Sequence, residues 1–142
     1  MYPEGQEILV VVDDRDLRAR TAQILRDEGF TVTAAAEGLA ALRHAATRRF
    51  ALIVAARELP GSLDGGTTVR QARTRQPWLK ALYLDLGERD ARRGRGNPDS
   101  EDFIAVPFER HELIGCTFEL LQRGANGGAD LARRMRLELH AS

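Results

Sequence analysis

Apolar residues fall along this chain in two rhythms. Short continuous runs alternate with longer stretches in which they recur every three or four positions. Ile8-Leu-Val-Val-Val12 is apolar and β-branched and ends abruptly at Asp13-Asp14, the pattern of a strand buried on both faces. From Leu17 to Leu25 the spacing of Leu17, Thr21, Ile24 and Leu25 predicts a helix, stopped by Gly29. Phe30–Thr33 alternates as a second strand. Glu37–Thr47, rich in Ala and Leu, reads as a second helix. Phe50–Ala56 is a third, continuously apolar strand. Leu59-Pro60-Gly61 breaks the chain into a loop, and a helix is expected from Gly65 to Arg75. It ends before Pro77, because the residue preceding a proline avoids the α region.

Trp78–Leu84 reads as a fourth strand and Phe103–Val106 as a fifth. Gly87–Ser100 between them reads as a loop with at most a short helix. Pro107-Phe108 leads into a helix over Glu109–Gln122. Gly124–Gly128 is a flexible link, and Ala129–His140 is a last amphipathic helix with Leu131, Met135 and Leu139 four apart. The expected organisation is thus one domain over 1–123, followed by a link and helix over 124–142.

Strands alternating with helices over five rounds imply an α/β fold with a parallel sheet covered on both faces. Right-handed crossovers leave few topologies, and the expectation is a flavodoxin-like, doubly wound sheet of order 2-1-3-4-5 with an extra C-terminal helix. Chemistry in such folds gathers at the carboxyl ends of the strands.

Composition narrows the function. The chain has 142 residues, 43% of them hydrophobic and 30% charged, enough for a core without metal or disulfide staples. Its 21 basic and 21 acidic residues cancel, which argues against a nucleic-acid-binding domain. Its one cysteine, Cys116, rules out an internal disulfide and reads as a half-buried helix residue. No apolar run is long enough to span a membrane and the start shows no signal peptide, so a cytoplasmic location is expected. His44, His111 and His140 share no ligand spacing. Arg89, Arg92, Arg93 and Arg95 form a local basic patch, read as a solvated loop or a contact for an acidic partner.

Three motifs then occur in order: Val12-Asp13-Asp14 after strand one, Leu59-Pro60-Gly61 after strand three, and Val106-Pro107-Phe108 after strand five. With Gly29-Phe30, Glu37-Gly38, Ala40-Ala41-Leu42 and Asp102-Phe103-Ile104, they make residues 7 to 123 resemble a response-regulator receiver domain of two-component signalling. The resemblance implies a nucleophilic aspartate at the end of strand three and a magnesium ion held mainly by acids after strand one. It also implies a lysine after strand five and a hydroxyl after strand four.

Here the acid pair is Asp13 and Asp14. The nucleophile position, counted back from Leu59-Pro60-Gly61, is Ala56; the hydroxyl position is Asp85; the lysine position is Val106. The only lysine, Lys80, is set at the far end of strand four, about 16 Å away at 3.3 Å per residue. The signalling aromatic of strand five is sought at Ile104, which is aliphatic. The expectation is a degenerate pseudo-receiver with no catalytic residues of its own. Asp13 and Asp14 are the candidate metal ligands for a weakly held Mg2+, with Asp85 as a third carboxylate. Against this stand a solvated acidic pair and a cluster neutralised by Arg15 or Arg57.

The expected function is phosphorylation-independent protein binding in a phosphorelay. The expected partners are a sensor kinase, a phosphotransfer protein, another regulator or a second copy of the chain, and neither nucleic acid nor membrane is among them. The alternative is a receiver phosphorylated at a non-standard aspartate: Asp13, Asp14 or Asp64. Asp64 reads more simply as a helix cap. A flavodoxin-like nucleotide binder is disfavoured, because Asp13-Asp14-Arg15-Asp16 stands where a phosphate-cradling glycine loop would be needed.

Overall fold

Five parallel strands pair in the order β2-β1-β3-β4-β5 in a computed structural model of the chain, which describes residues 6–85 and 99–123. The elements are β1 (Glu7–Val11), α1 (Arg15–Asp27), β2 (Thr31–Ala35), α2 (Gly38–Thr47), β3 (Leu52–Ala56), α3 (Gly65–Arg75), β4 (Lys80–Asp85), β5 (Glu101–Ala105) and α4 (Arg110–Gln122). This is the expected doubly wound fold. The link 124–128, the C-terminal helix, the arginines at 89, 92, 93 and 95, His140 and most of the segment after β4 lie outside the described residues.

Burial follows sheet position. The central strands β3 and β4 are buried at every residue, and β1 at every residue but its first. The edge strands β2 and β5 mix buried residues with exposed or half-buried ones. This explains why the central strands read as unbroken apolar runs. It also explains the displaced boundaries. β5 begins at Glu101 and not at Phe103, because an edge strand accepts the polar Glu101 and Asp102. β4 begins at Lys80 and not at Trp78, because Pro77 and Trp78 form a turn. β3 begins at Leu52, two residues after the expected Phe50, and β2 runs on to Ala35.

Alternate residues feed two cores. Ile8, Val10, Leu52, Val54, Leu82, Leu84 and Ile104 meet Leu25 of α1 and Leu113 and Leu120 of α4. Leu9, Val11, Ile53, Ala55, Ala81 and Tyr83 meet Ala41 and Ala45 of α2 and Val69 and Ala72 of α3. Gly29 closes α1 with φ +100°, a conformation that costs glycine little.

The amino end of the sheet is tied by two buried polar side chains. Gln76 accepts from Phe50 N at 2.8 Å and donates to Ala45 O at 2.9 Å and Arg48 O at 2.8 Å. Lys80 donates from Nζ to Asp99 O at 2.8 Å and to the carbonyl of Arg123 that follows α4. Lys80 is the first residue of β4, so its ammonium serves this end and not the opposite one.

Candidate functional site at the carboxyl end of the sheet

Where the strands end, the chain changes from apolar to charged. Val12 N donates to Ala35 O at 3.0 Å, prolonging the pairing of β1 with β2. Asp13 and Asp14 follow, both exposed. Asp14 caps α1: its Oδ1 accepts from Leu17 N at 2.9 Å, satisfying one of the orphan amides of the first turn. One turn into α1, Arg18 folds back. Its Nη1 donates to Val12 O at 2.8 Å and Asp13 O at 3.1 Å, placing a guanidinium on the loop that carries the acid pair. The sequence reading did not single out Arg18. Its signal was faint: a basic residue four or five positions after the acid pair, within reach of the end of β1.

Ala56 is the last residue of β3, buried, and in register with Leu84 of β4. The chain leaves β3 through Arg57 and returns tightly, with Gly65 N donating to Arg57 O at 3.0 Å. A Cβ on Gly65 would stand 2.2 Å from Ala56 O, so only glycine fits where α3 starts against the end of β3. Asp64 caps α3, its Oδ1 accepting from Thr67 N at 2.8 Å. That bond holds its carboxyl below the usual aspartate range.

Asp85 ends β4 and is buried. Arg57 Nη1 stands 3.8 Å from Asp85 Oδ2, and the Arg57 guanidinium carbon lies 5.4 Å from the centre of the Phe103 ring. Of the two arginines considered as counter-ions, Arg57 is the one at Asp85, while Arg15 is exposed at the start of α1. Phe103 stacks on Tyr83 with ring centres 5.2 Å apart, and burial pushes the Tyr83 hydroxyl up to about 12. Here the strand-five expectation needs correction. Ile104 faces the core beneath α1 and α4, and Phe103, one residue earlier, is the aromatic beside Arg57. The period of two decides this, since a slip of one residue reverses the face.

Val106 N donates to Asp85 O at 2.8 Å, and the Val106–Pro107 peptide is cis. Half-buried and apolar, Val106 contributes no charge.

The acids do not converge. β1 and β4 both flank β3, so their backbones are two strand spacings apart, about 9.6 Å. Among the described residues no group of three or more His, Cys, Asp or Glu side chains is placed to hold a metal ion, so Asp85 does not complete a set with Asp13 and Asp14. Asp14 is engaged as a cap, Asp85 faces Arg57, and a guanidinium already sits on the Val12 and Asp13 carbonyls. This donor set does not fit a resident magnesium ion, which asks for several oxygen ligands in near-octahedral array. Cys116 is half-buried on α4, and burial raises its thiol pKa. No helix among the described residues is long and apolar enough to cross a membrane.

Comparison with known proteins agrees with this architecture. The family described as response regulator receiver domain matches residues 8–116. The transcriptional regulatory protein TctD of Salmonella typhimurium is 33% identical over 119 residues, covering 83% of this chain and 53% of that protein. The alkaline phosphatase synthesis transcriptional regulatory protein SphR of Synechococcus elongatus is 30% identical over 144 residues, covering 94% of this chain and 56% of that protein. The chain spans about half the length of the curated relatives it matches. Among solved structures, a response regulator receiver protein from Sinorhizobium medicae superposes with a TM-score of 0.76 at 26% identity, covering 83% of this chain and 95% of that one.

Proposed function

The chain belongs to the response regulator receiver domain family, and from that premise we propose that it is a receiver without a phosphoacceptor, binding protein partners in two-component signalling independently of phosphorylation. The observation that carries this reading is Ala56. Transfer of a phosphoryl group to a receiver needs an attacking carboxylate oxygen, and catalysis beyond that is positioning and charge neutralisation. At the end of β3 stands a buried methyl group, which has no electron pair to give. The surroundings support the same reading. Asp85 is a carboxylate facing Arg57 where a hydroxyl would be needed, and Val106 brings no positive charge to hold a phosphoryl group.

The acid pair Asp13 and Asp14 then has a structural role in this reading. Asp14 starts α1, and Asp13 is left as a solvated carboxylate with weak affinity for Mg2+. The partner is a sensor kinase, a phosphotransfer protein, another regulator or a second copy of this chain. Its docking face is β5 with the helices beside it, including α4. The edge position of β5 leaves Glu101, Asp102 and Phe103 half-buried, with Glu101 and Asp102 ion-paired to Arg73 and Arg123.

The test is intact-mass measurement after incubation with acetyl phosphate and Mg2+. The unchanged mass is the expected result. A gain of about 80 Da, the mass of one phosphoryl group, overturns the reading. Loss of that adduct in Asp64→Asn, Asp13→Asn or Asp14→Asn would identify a non-standard acceptor.

A further inference from the structure

The acidic mouth of the sheet carries two guanidinium groups that the family's chemistry does not ask for. Arg18 reaches back from α1 to the carbonyl oxygens of Val12 and Asp13, at 2.8 and 3.1 Å. Arg57 leaves β3 directly after Ala56, faces the buried carboxylate of Asp85 at 3.8 Å and lies beside the Phe103 ring. Both positions are fixed by the fold. Arg18 is one helical turn beyond the Asp14 cap, which sets the direction of α1. Arg57 is held by its own backbone, whose N donates to Leu84 O at 3.1 Å and whose O accepts from Gly65 N at 3.0 Å. One arginine therefore serves the β1 end and the other the β4 end, with β3, which ends at Ala56, between those strands.

We propose, building on the reading of a receiver without a phosphoacceptor, that Arg18 and Arg57 are the resident cations of this site. They stand in for a divalent ion and set the electrostatic state of the mouth without one. The carboxylates of Asp13, Asp14 and Asp85 repel one another less because positive charge is covalently built in. A divalent ion approaching Asp13 and Asp14 meets that same charge and is disfavoured. A unit positive charge about 6–10 Å from a divalent ion lowers its affinity by roughly four- to tenfold even at the dielectric constant of water. Metal indifference is thus a consequence of the arginines as well as of the missing aspartate.

The experiment is a Mg2+ titration of metal-free protein, followed by thermal unfolding and by the backbone amide resonances of residues 12–18, 57 and 85. For the wild type the expected change in Tm is below about 1 °C at about 10 mM Mg2+, with no saturating amide shifts. Arg57→Met and Arg18→Met each uncover part of the acidic charge, and each is expected to gain about 2–4 °C on the same addition. Arg57→Lys keeps the charge and is expected to stay indifferent.

Saturating shifts of the wild-type resonances at submillimolar Mg2+ overturn the proposal. So do methionine variants that fold and remain as indifferent as the wild type. Should one methionine variant fail to fold, the other decides, and Arg18→Gln and Arg57→Gln, which also remove the charge, replace whichever is lost. The outcome is separable from the acetyl phosphate experiment. A phosphoryl adduct would remove the reading of an acceptor-less receiver, whereas the Mg2+ titration reads the arginines directly.

Discussion

Arg57, the residue after β3, places its guanidinium 3.8 Å from the carboxylate of Asp85 at the end of β4. The pair is unequal: the Asp85 side chain is 4% exposed and that of Arg57 41%. A buried carboxylate loses its hydration and depends on nearby positive charge, whereas an exposed arginine loses little when its partner goes. Arg57→Ala is therefore expected to lower unfolding stability by about 1–2 kcal/mol, discounted from a fully buried pair because Arg57 is solvated. Asp85→Asn added to Arg57→Ala should recover most of that loss. Urea denaturation of the four members of the cycle checks it, and additive losses would show that the two side chains do not interact.

Restoring an aspartate at Ala56 tests how far the site has moved from phosphate chemistry. Ala56 is 4% exposed, and its register partner Leu84 precedes Asp85. A second carboxylate here is desolvated and adjoins an existing negative charge, so Ala56→Asp should cost about 2–4 kcal/mol in urea denaturation. With Val106 apolar, the variant is expected to stay unmodified by acetyl phosphate until Val106→Lys is added. A single Ala56→Asp variant that is as stable as its parent and takes up a phosphoryl group would show that the rest of the site is intact.

The parts of this structure visible in the sequence are those set by periodicity. β3 and β4 lie in the middle of the sheet and are buried on both faces, so Leu52–Ala56 and the Ala81–Leu84 stretch within β4 announce themselves as apolar runs. The strand order follows from alternation and handedness, and the α3 boundaries follow from Asp64 before the helix and Pro77 after it. What stayed hidden is what depends on side-chain reach. Arg18 acts through atoms six and five positions earlier in the chain, and Arg57 through a strand that follows some thirty residues later. Neither relationship has a period. The misplaced aromatic at Ile104 shows the limit more sharply. Face assignment on a strand changes with each residue, and counting from Val106 without the register put the aromatic on the wrong side.

Gln76 was also invisible, because a glutamine before a proline reads as the polar end of a helix. Its carboxamide is buried and satisfies one amide and two carbonyls from α2, the turn after it and the approach to β3. Gln76→Leu keeps the volume and orphans all three groups, so a loss of about 2–4 kcal/mol is expected. Gln76→Glu keeps the acceptor for Phe50 N but turns two donors into acceptors facing carbonyls, and should be worse. The urea midpoint should fall with little change in slope, since the native surface is unchanged. A midpoint shift of under about 0.5 kcal/mol equivalent would mean that water replaces the amide at no cost.

Asp64 separates a cap from an acceptor. Its carboxylate accepts from Thr67 N at 2.8 Å, and that bond lowers its pKa from the ordinary 3.8. A depressed folded pKa means that the folded state binds this proton less readily than the unfolded state. The carboxylate's contribution is therefore complete above pH 3.8 and is lost as the pH falls through the lower folded value. At neutral pH Asp64→Ala should cost about 1 kcal/mol, the usual worth of an N-cap. The gap to the wild type should narrow as the pH drops below 3.8. Asp64→Asn caps about as well as aspartate but does not titrate, so it should match the wild type at pH 7 and lack its acid-dependent loss. Stability curves of the three proteins between neutral and strongly acidic pH check this. If Asp64→Asn instead left the acid profile unchanged, the charge on Asp64 would not be part of what starts α3.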